Sequence, residues 1–191
     1  MMTPHVHQAA DLGFVHGRVS LCEEPALLLF VHHGSVATAY LVHGFLGAGK
    51  TTFAEALAQS SGGIRLSLDE WYLRLFADAP TEHLDAASWK RLDAMMADMW
   101  PQMLRSGVDV VLDFGFWTRP SRDRARSAAA AVGADTILYL VTCDDAVALG
   151  RCLARNSLGG PSFIITPAGF EEMRSRFEPL GHDEAHVLVE T

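Results

Sequence analysis

The 191-residue sequence predicts an α/β fold in which helices cover both faces of a parallel sheet. Three observations carry that prediction. From Ala37 onward, short apolar stretches alternate with longer amphipathic ones. Two of the short stretches, Val108–Asp113 (VDVVLD) and Thr136–Val141 (TILYLV), lack the polar alternation of a half-solvated strand. A glycine-rich turn joins the first apolar stretch to the helix after it.

Taken in order, Ala39–His43 is the first strand, and a helix follows from Lys50 to about Gln59. Ile64–Leu66 is a short second strand. Two helices come next, near Asp69–Phe76 and Leu84–Leu104. In the longer one, Leu84, Ala87, Leu92, Met95, Met96, Met99 and Met103 recur at three- and four-residue spacing, which gives one apolar face. Pro101 predicts a kink or an end there, and Gly107 a C-terminal stop. After the Val108–Asp113 strand, Pro120 opens an Ala- and Arg-rich helix over Ser121–Val132. Thr136–Val141 is the next strand. Asp144 caps a helix to about Asn156, and Ser157–Ile165 is a loop. Thr166-Pro167 reads as a cap plus first-turn proline for a helix to about Phe177, and His186–Val189 is the last strand. Residues 1–36 form an extension outside this alternation. Within it Phe14–Leu21 and Ala26–Val31 read as an added hairpin across Cys22–Pro25. The main domain is then 37–191.

Composition removes several function classes. Lys plus Arg number 15 and Asp plus Glu 23, a net charge of −8, which argues against a large footprint on nucleic acid or an anionic membrane. With 49% hydrophobic residues the chain can bury a core. Three cysteines, Cys22, Cys143 and Cys152, are an odd number with no CxxC pair, so a disulfide framework is not expected. No apolar run reaches the ~20 residues of a membrane helix, and the N-terminus lacks the pattern of a secretory signal. The expectation is a cytoplasmic globular protein.

The turn Gly44-Phe-Leu-Gly-Ala-Gly-Lys-Thr51 fits G-x-x-x-x-G-K-[ST] at every position. Gly44, Gly47, Ala48 and Gly49 let backbone N–H groups converge on phosphate oxygens, because glycine allows turns that a Cβ would block. Lys50 reaches the β and γ phosphates as a point charge. Thr51 offers its hydroxyl to Mg²⁺, and Thr52 touches the α phosphate. The helix that starts here adds its positive end. The expected ligands are a nucleoside triphosphate and Mg²⁺.

Charged and aromatic residues gather where strands end, the edge at which such sheets bind ligands. Asp69 follows the second strand. It either accepts a proton from an attacking hydroxyl or caps the next helix. Asp113 closes the VDVVLD strand, where it serves Mg²⁺, an acceptor molecule, or structure alone. Arg119, Arg122, Arg124 and Arg126 follow, with Arg122 and Arg126 on one helix face, and one of them can reach an acceptor. Arg151 and Arg155 precede the 157–165 loop, where arginines can close over phosphates. Trp71, Tyr72, Phe114, Phe116 and Trp117 suggest either core packing or an acceptor with an apolar or planar part. The nine histidines show no metal-binding spacing.

The motifs GFLGAGKTT, LSLDEW, VDVVLDFGFWTRPSRD and CLARN together resemble the small P-loop kinases of the polynucleotide kinase, zeta toxin and chloramphenicol phosphotransferase group. The resemblance runs from about Ala37 to Thr191. It implies a three-layer P-loop NTPase sandwich with strand order 2-3-1-4-5, ATP as donor, and Asp69 as general base. It also implies Arg155 as an arginine of a lid near 157–165, and Arg122 as the arginine that follows the third strand in that group. Two departures matter. Tyr72 stands where polynucleotide kinases carry an arginine, and Gly159 and Gly160 stand where they often carry a second lid arginine. The expected function is therefore ATP- and Mg²⁺-dependent transfer of the γ-phosphate to a hydroxyl of a small molecule. The alternatives are a kinase for a nucleic-acid 5′-hydroxyl or a nucleotide-sugar, and an ATP-binding regulatory protein or ATPase without an acceptor.

Overall fold

The computed structural model describes residues 18–20, 36–76, 86–159 and 162–191. The strands are β1 (Arg18–Ser20), β2 (Thr38–His43), β3 (Ile64–Ser67), β4 (Val110–Gly115), β5 (Asp135–Thr142) and β6 (Val187–Glu190). The helices are α1 (Lys50–Ser61), α2 (Leu68–Leu75), α3 (Ala86–Arg105), α4 (Arg119–Ala130), α5 (Asp145–Leu158) and α6 (Pro167–Arg174). All strands pair in parallel, in the order β1-β6-β5-β2-β4-β3. Counted from β2, the five core strands run 2-3-1-4-5, the expected P-loop order. Arg18–Ser20 adds a short strand beside β6, within the first arm of the expected hairpin. Its second arm, Ala26–Val31, lies outside the described residues.

Strand alternation sorts the core into two faces. Ala39, Leu41, Leu66, Val110, Leu112 and Leu138 meet Trp100 and Leu104 of α3 and Ala125 and Ala129 of α4. Tyr40, Val42, Val111, Tyr139, Val141 and Val189 point the other way and meet Phe53, Ala54 and Leu57 of α1. Arg65 and Asp113 share the α1 face, since they alternate with Leu66 and Leu112.

Several details differ from the sequence reading. β4 continues two residues past Asp113, so Asp113 lies inside the sheet rather than at the strand's end. α3 runs through Pro101 to Arg105. There Pro101 sits less than two turns from the helix end among buried Trp100 and Leu104, so the hydrogen bond it removes is outweighed by packing. Gly107 stops the helix with φ 77°. Asp144 occupies the N-cap position of α5, but its side chain makes no capping bond. α6 ends at Arg174, short of Phe177. The Thr166-Pro167 start is as expected, with the Gly169 N–H donating to Thr166 Oγ1 at 3.0 Å.

Candidate functional site

The glycine-rich turn leaves β2 and enters α1 with Gly47 at φ 69° and Gly49 at φ 85°, the left-handed region that favours glycine. The turn is wedged. A Cβ on Gly44 would lie 2.4 Å from the Val141 carbonyl oxygen, and one on Gly47 would lie 2.2 Å from that of Ala148. Arg151 on α5 backs it, donating to the Gly47 carbonyl at 3.3 Å and to Thr191 Oγ1 at 2.8 Å. Thr191 Oγ1 in turn donates to the Ala48 carbonyl. Thr51 and Thr52 are exposed on the first turn of α1.

Lys50 Nζ donates to the Phe45 carbonyl across the turn at 2.7 Å. Its pKa is lowered by removal from water, against which Asp113 and then Asp69 act as counter-charges, while Arg155 adds to the lowering. Asp69 stands in the first turn of α2. Ser67 occupies the N-cap position, its Oγ accepting from the Glu70 N–H, which leaves the Asp69 carboxylate free of that duty. The protein crowded around Asp69 raises its carboxyl pKa, Lys50 and Arg155 oppose the rise, and Asp113 adds to it. Asp69 is nonetheless open to solvent, which tempers these effects. The charges of Asp113, Asp69 and Arg155 thus all bear on the Lys50 ammonium.

Asp113 has a partner that sequence reasoning missed. Arg65 Nη2 donates to Asp113 Oδ2 at 2.8 Å and to Glu70 Oε1 at 2.7 Å. The signal was present as a charged residue in a four-residue strand, but only the β3–β4 register, Ser67 opposite Asp113, brings the two together.

The end of β4 turns sharply. Gly115 (φ 74°) and Phe116 (φ 47°) are both left-handed, which costs a non-glycine residue roughly 1–2 kcal/mol. The strained Phe116 carbonyl accepts from His43 Nδ1 at 3.1 Å and Arg122 Nη1 at 3.0 Å, contacts that offset the cost. The turn brings Trp117 back over the phosphate-binding loop, where its Nε1 donates to the Gly44 carbonyl at 3.2 Å.

Arg122 departs from the expectation that it meets an acceptor. It is fully buried, and all five N–H donors are engaged. They reach Glu184 Oε1 (2.8 Å) and Oε2 (2.7 Å) and the carbonyls of Phe116, Glu178 and Pro179. It is a clamp between the β4–α4 turn and the C-terminal segment.

A cleft of about 920 Å³ opens between α3 and α4 beside this turn. Leu68, Trp100, Leu112, Phe114, Phe116 and Trp117 line it, together with the exposed Asp93, Asp123 and Arg124. Of the aromatic candidates Phe114, Phe116 and Trp117 are there. Trp71 is not in the lining and stands 40% exposed on α2. Tyr72 is buried and stacked on Trp89, with ring centroids 4.5 Å apart.

These features suit a nucleoside triphosphate and Mg²⁺. The left-handed glycines, the lysine and the open helix start form a phosphate cradle. Thr51 and Asp113 offer the hard oxygen donors that Mg²⁺ takes. Among the described residues no group of three or more His, Cys, Asp and Glu could hold a metal ion unaided. Phosphate oxygens would have to complete the set. Cys143 and Cys152 carry free thiols, and among the described residues no helix is long and apolar enough to cross a membrane.

Fold and loop together define a nucleotide-binding protein of the P-loop class. The family model for the AAA domain, of the AAA_33 type, matches residues 40–180, and the chain belongs to that family. Solved structures of similar fold have P-loop kinase architecture. A candidate kinase from Chloroflexus aurantiacus j-10-fl is 22% identical over 82% of this chain and 88% of that one, with a TM-score of 0.66. Chaetomium thermophilum Kti12 in complex with ADP-AlF3 is 17% identical over 80% and 88%, with a TM-score of 0.64. A chain of the Pnkp1/Rnl/Hen1 RNA repair complex is 17% identical over 76% of this chain and 45% of its own length, with a TM-score of 0.61. The search among curated proteins returns no match.

Proposed function

We propose that this protein transfers the γ-phosphate of ATP, bound with Mg²⁺, to a hydroxyl of a small molecule that has an apolar or planar body. One observation supports this most. Asp69, Asp113 and Arg155 lie within electrostatic reach of Lys50 in the phosphate-binding turn, and an aromatic-lined cleft opens beside the β4–α4 turn, whose Trp117 donates to the Gly44 carbonyl of that loop. In this reading Gly44, Gly47, Ala48, Gly49 and Thr52 hold the phosphates, and Arg151 braces the loop behind them. Thr51 and Asp113 hold Mg²⁺, which supplies charge neutralisation across the β and γ phosphates. Asp69 takes the proton of the acceptor hydroxyl as that oxygen bonds to the γ-phosphorus; its raised pKa makes it a stronger base than an ordinary aspartate. Lys50 and Arg155 balance charge on the phosphoryl group as the β–γ bond breaks. Phe116 and Trp117 lie against the acceptor's body, and Trp71 stands at the outer edge of α2. The net charge of −8, and a buried Tyr72 where polynucleotide kinases carry an arginine, favour a small molecule over a nucleic-acid end. The same composition favours a cytoplasmic location.

Transfer from γ-labelled ATP–Mg²⁺ to a panel of nucleosides, nucleic-acid 5′-hydroxyl ends, nucleotide-sugars and hydroxyl-bearing aromatic compounds tests this. Asp69→Ala is expected to bind ATP as the wild type does and to transfer ~10²-fold more slowly. Unchanged transfer in that variant removes Asp69 as the base. Tight nucleotide binding with no labelled acceptor favours the regulatory reading.

A further inference from the structure

We infer that Arg65 is a positioning residue for the phosphate-binding lysine: it holds the Asp113 carboxylate and so keeps it from pairing with Lys50. The inference rests on the nucleotide reading of the Gly44–Thr51 turn.

Asp113 is only 6% exposed, and it is the strongest counter-charge acting on Lys50. A carboxylate and an ammonium that have both lost much of their water attract strongly. Left alone the two would pair, and the ammonium would then be committed to a protein carboxylate instead of to phosphate. They do not pair. Lys50 Nζ donates to the Phe45 carbonyl at 2.7 Å, and Asp113 Oδ2 accepts from Arg65 Nη2 at 2.8 Å. The sheet fixes that second contact, because Arg65 lies one pleat behind Ser67, which is opposite Asp113. Glu70 grips the same Nη2 at 2.7 Å, and Glu55 of α1 lies 3.9 Å from Nη1. The Arg65 Nε is buried with no hydrogen-bond partner. A side chain placed only for stability would rarely leave a donor in that state.

The test is titration calorimetry of a non-hydrolysable ATP analogue with Mg²⁺ on the full chain, alongside melting temperatures. Arg65→Met keeps the aliphatic stem, frees Asp113 to pair with Lys50, and is expected to weaken binding about tenfold. Arg65→Lys keeps the positive charge and should stay within about threefold of wild type. The decisive variant is Arg65→Met with Asp113→Asn. Asparagine offers Lys50 no charge, so the double variant should return to within about twofold of Asp113→Asn alone. A double variant clearly weaker than Asp113→Asn alone, or an Arg65→Met that binds as wild type does, overturns the inference. A wild type that binds no analogue overturns the nucleotide reading, and this inference with it.

Discussion

His43 shows how one side chain in an apolar strand can set a pH limit for the whole chain. Its ring is fully buried and stacked on Phe177, with centroids 4.8 Å apart and planes 7° from parallel. Nδ1 faces the carbonyls of Gly115 and Phe116, which can only accept, so Nδ1 carries a hydrogen; Nε2 is buried with no hydrogen-bond partner, which favours the neutral ring. Burial, and then the Arg122 charge, lower its pKa from 6.5 to about 4. The unfolded chain therefore takes up a proton at a pH where the folded chain does not. The stability tied to neutral His43 is whole above about pH 6.5, declines as pH falls, and is fully lost below about pH 4, a change of roughly 3 kcal/mol. His43→Leu should flatten the decline in urea-unfolding stability between pH 7 and pH 5. A slope that matches wild type would assign the decline to other groups. Arg122 and Arg65 make a related point: both are charged residues whose partners lie on distant elements.

The phosphate-binding turn is set by the elements that grip it as much as by its own glycines. Gly47 and Gly62 have nearly the same φ, 69° and 71°, yet their surroundings differ. A Cβ at Gly62 meets nothing within 4 Å, whereas one at Gly47 meets the Ala148 carbonyl oxygen of α5 at 2.2 Å. Gly62→Ala should thus cost only the backbone penalty of roughly 1 kcal/mol and leave nucleotide binding intact. Gly47→Ala must push the turn off α5 and should weaken ATP–Mg²⁺ binding by more than about tenfold, read by calorimetry. Equal binding losses in the two would mean that α5 does not shape the turn. The same scale explains α3. Its apolar face was plain in the sequence, but its passage through Pro101 depends on what Trp100 and Leu104 bury beneath it.

Across the whole molecule, the Arg122–Glu184 pair joins the β4–α4 turn to the segment that leads into β6. Glu184 is held bidentately and also accepts from Arg126 Nη1 at 3.0 Å and the Gly181 N–H at 3.1 Å. Hydrogen bonding from Arg122 draws its carboxyl pKa well below the usual range. The sign of the linkage follows: this stability is whole above about pH 4.5 and is lost as pH falls below it. Glu184→Ala leaves the Arg122 charge buried without its carboxylate and should cost about 3–5 kcal/mol in denaturant unfolding. Arg122→Met with Glu184→Leu removes both charges and should recover much of that loss. A small effect of Glu184→Ala would mean that water reaches the guanidinium.

Much of this was legible in the sequence because it rests on local chemistry. The Gly44–Thr51 turn, the apolar runs of β4 and β5, the Thr166-Pro167 helix start and the Gly107 stop each depend on residues within a few positions of one another. Asp69 and Asp113 were found from their places near strand ends, although β4 runs on past Asp113. The face on which Arg65 stands, and the inward turn of Arg122, left no comparable local mark.

The sequence by itself determined the alternation of strand and helix, the phosphate-binding turn and the acidic character of the chain. Period, glycine placement and charge count need no knowledge of what lies across the sheet. Tertiary structure alone decided that Arg65 meets Asp113, 48 positions away, and that Arg122 meets Glu184, 62 positions away. It also decided that α3 and α4 leave a cleft beside the β4–α4 turn. The physical reason is that pairing a charge or opening a cleft depends on strand register and helix packing, which bring together residues that no sequence window contains.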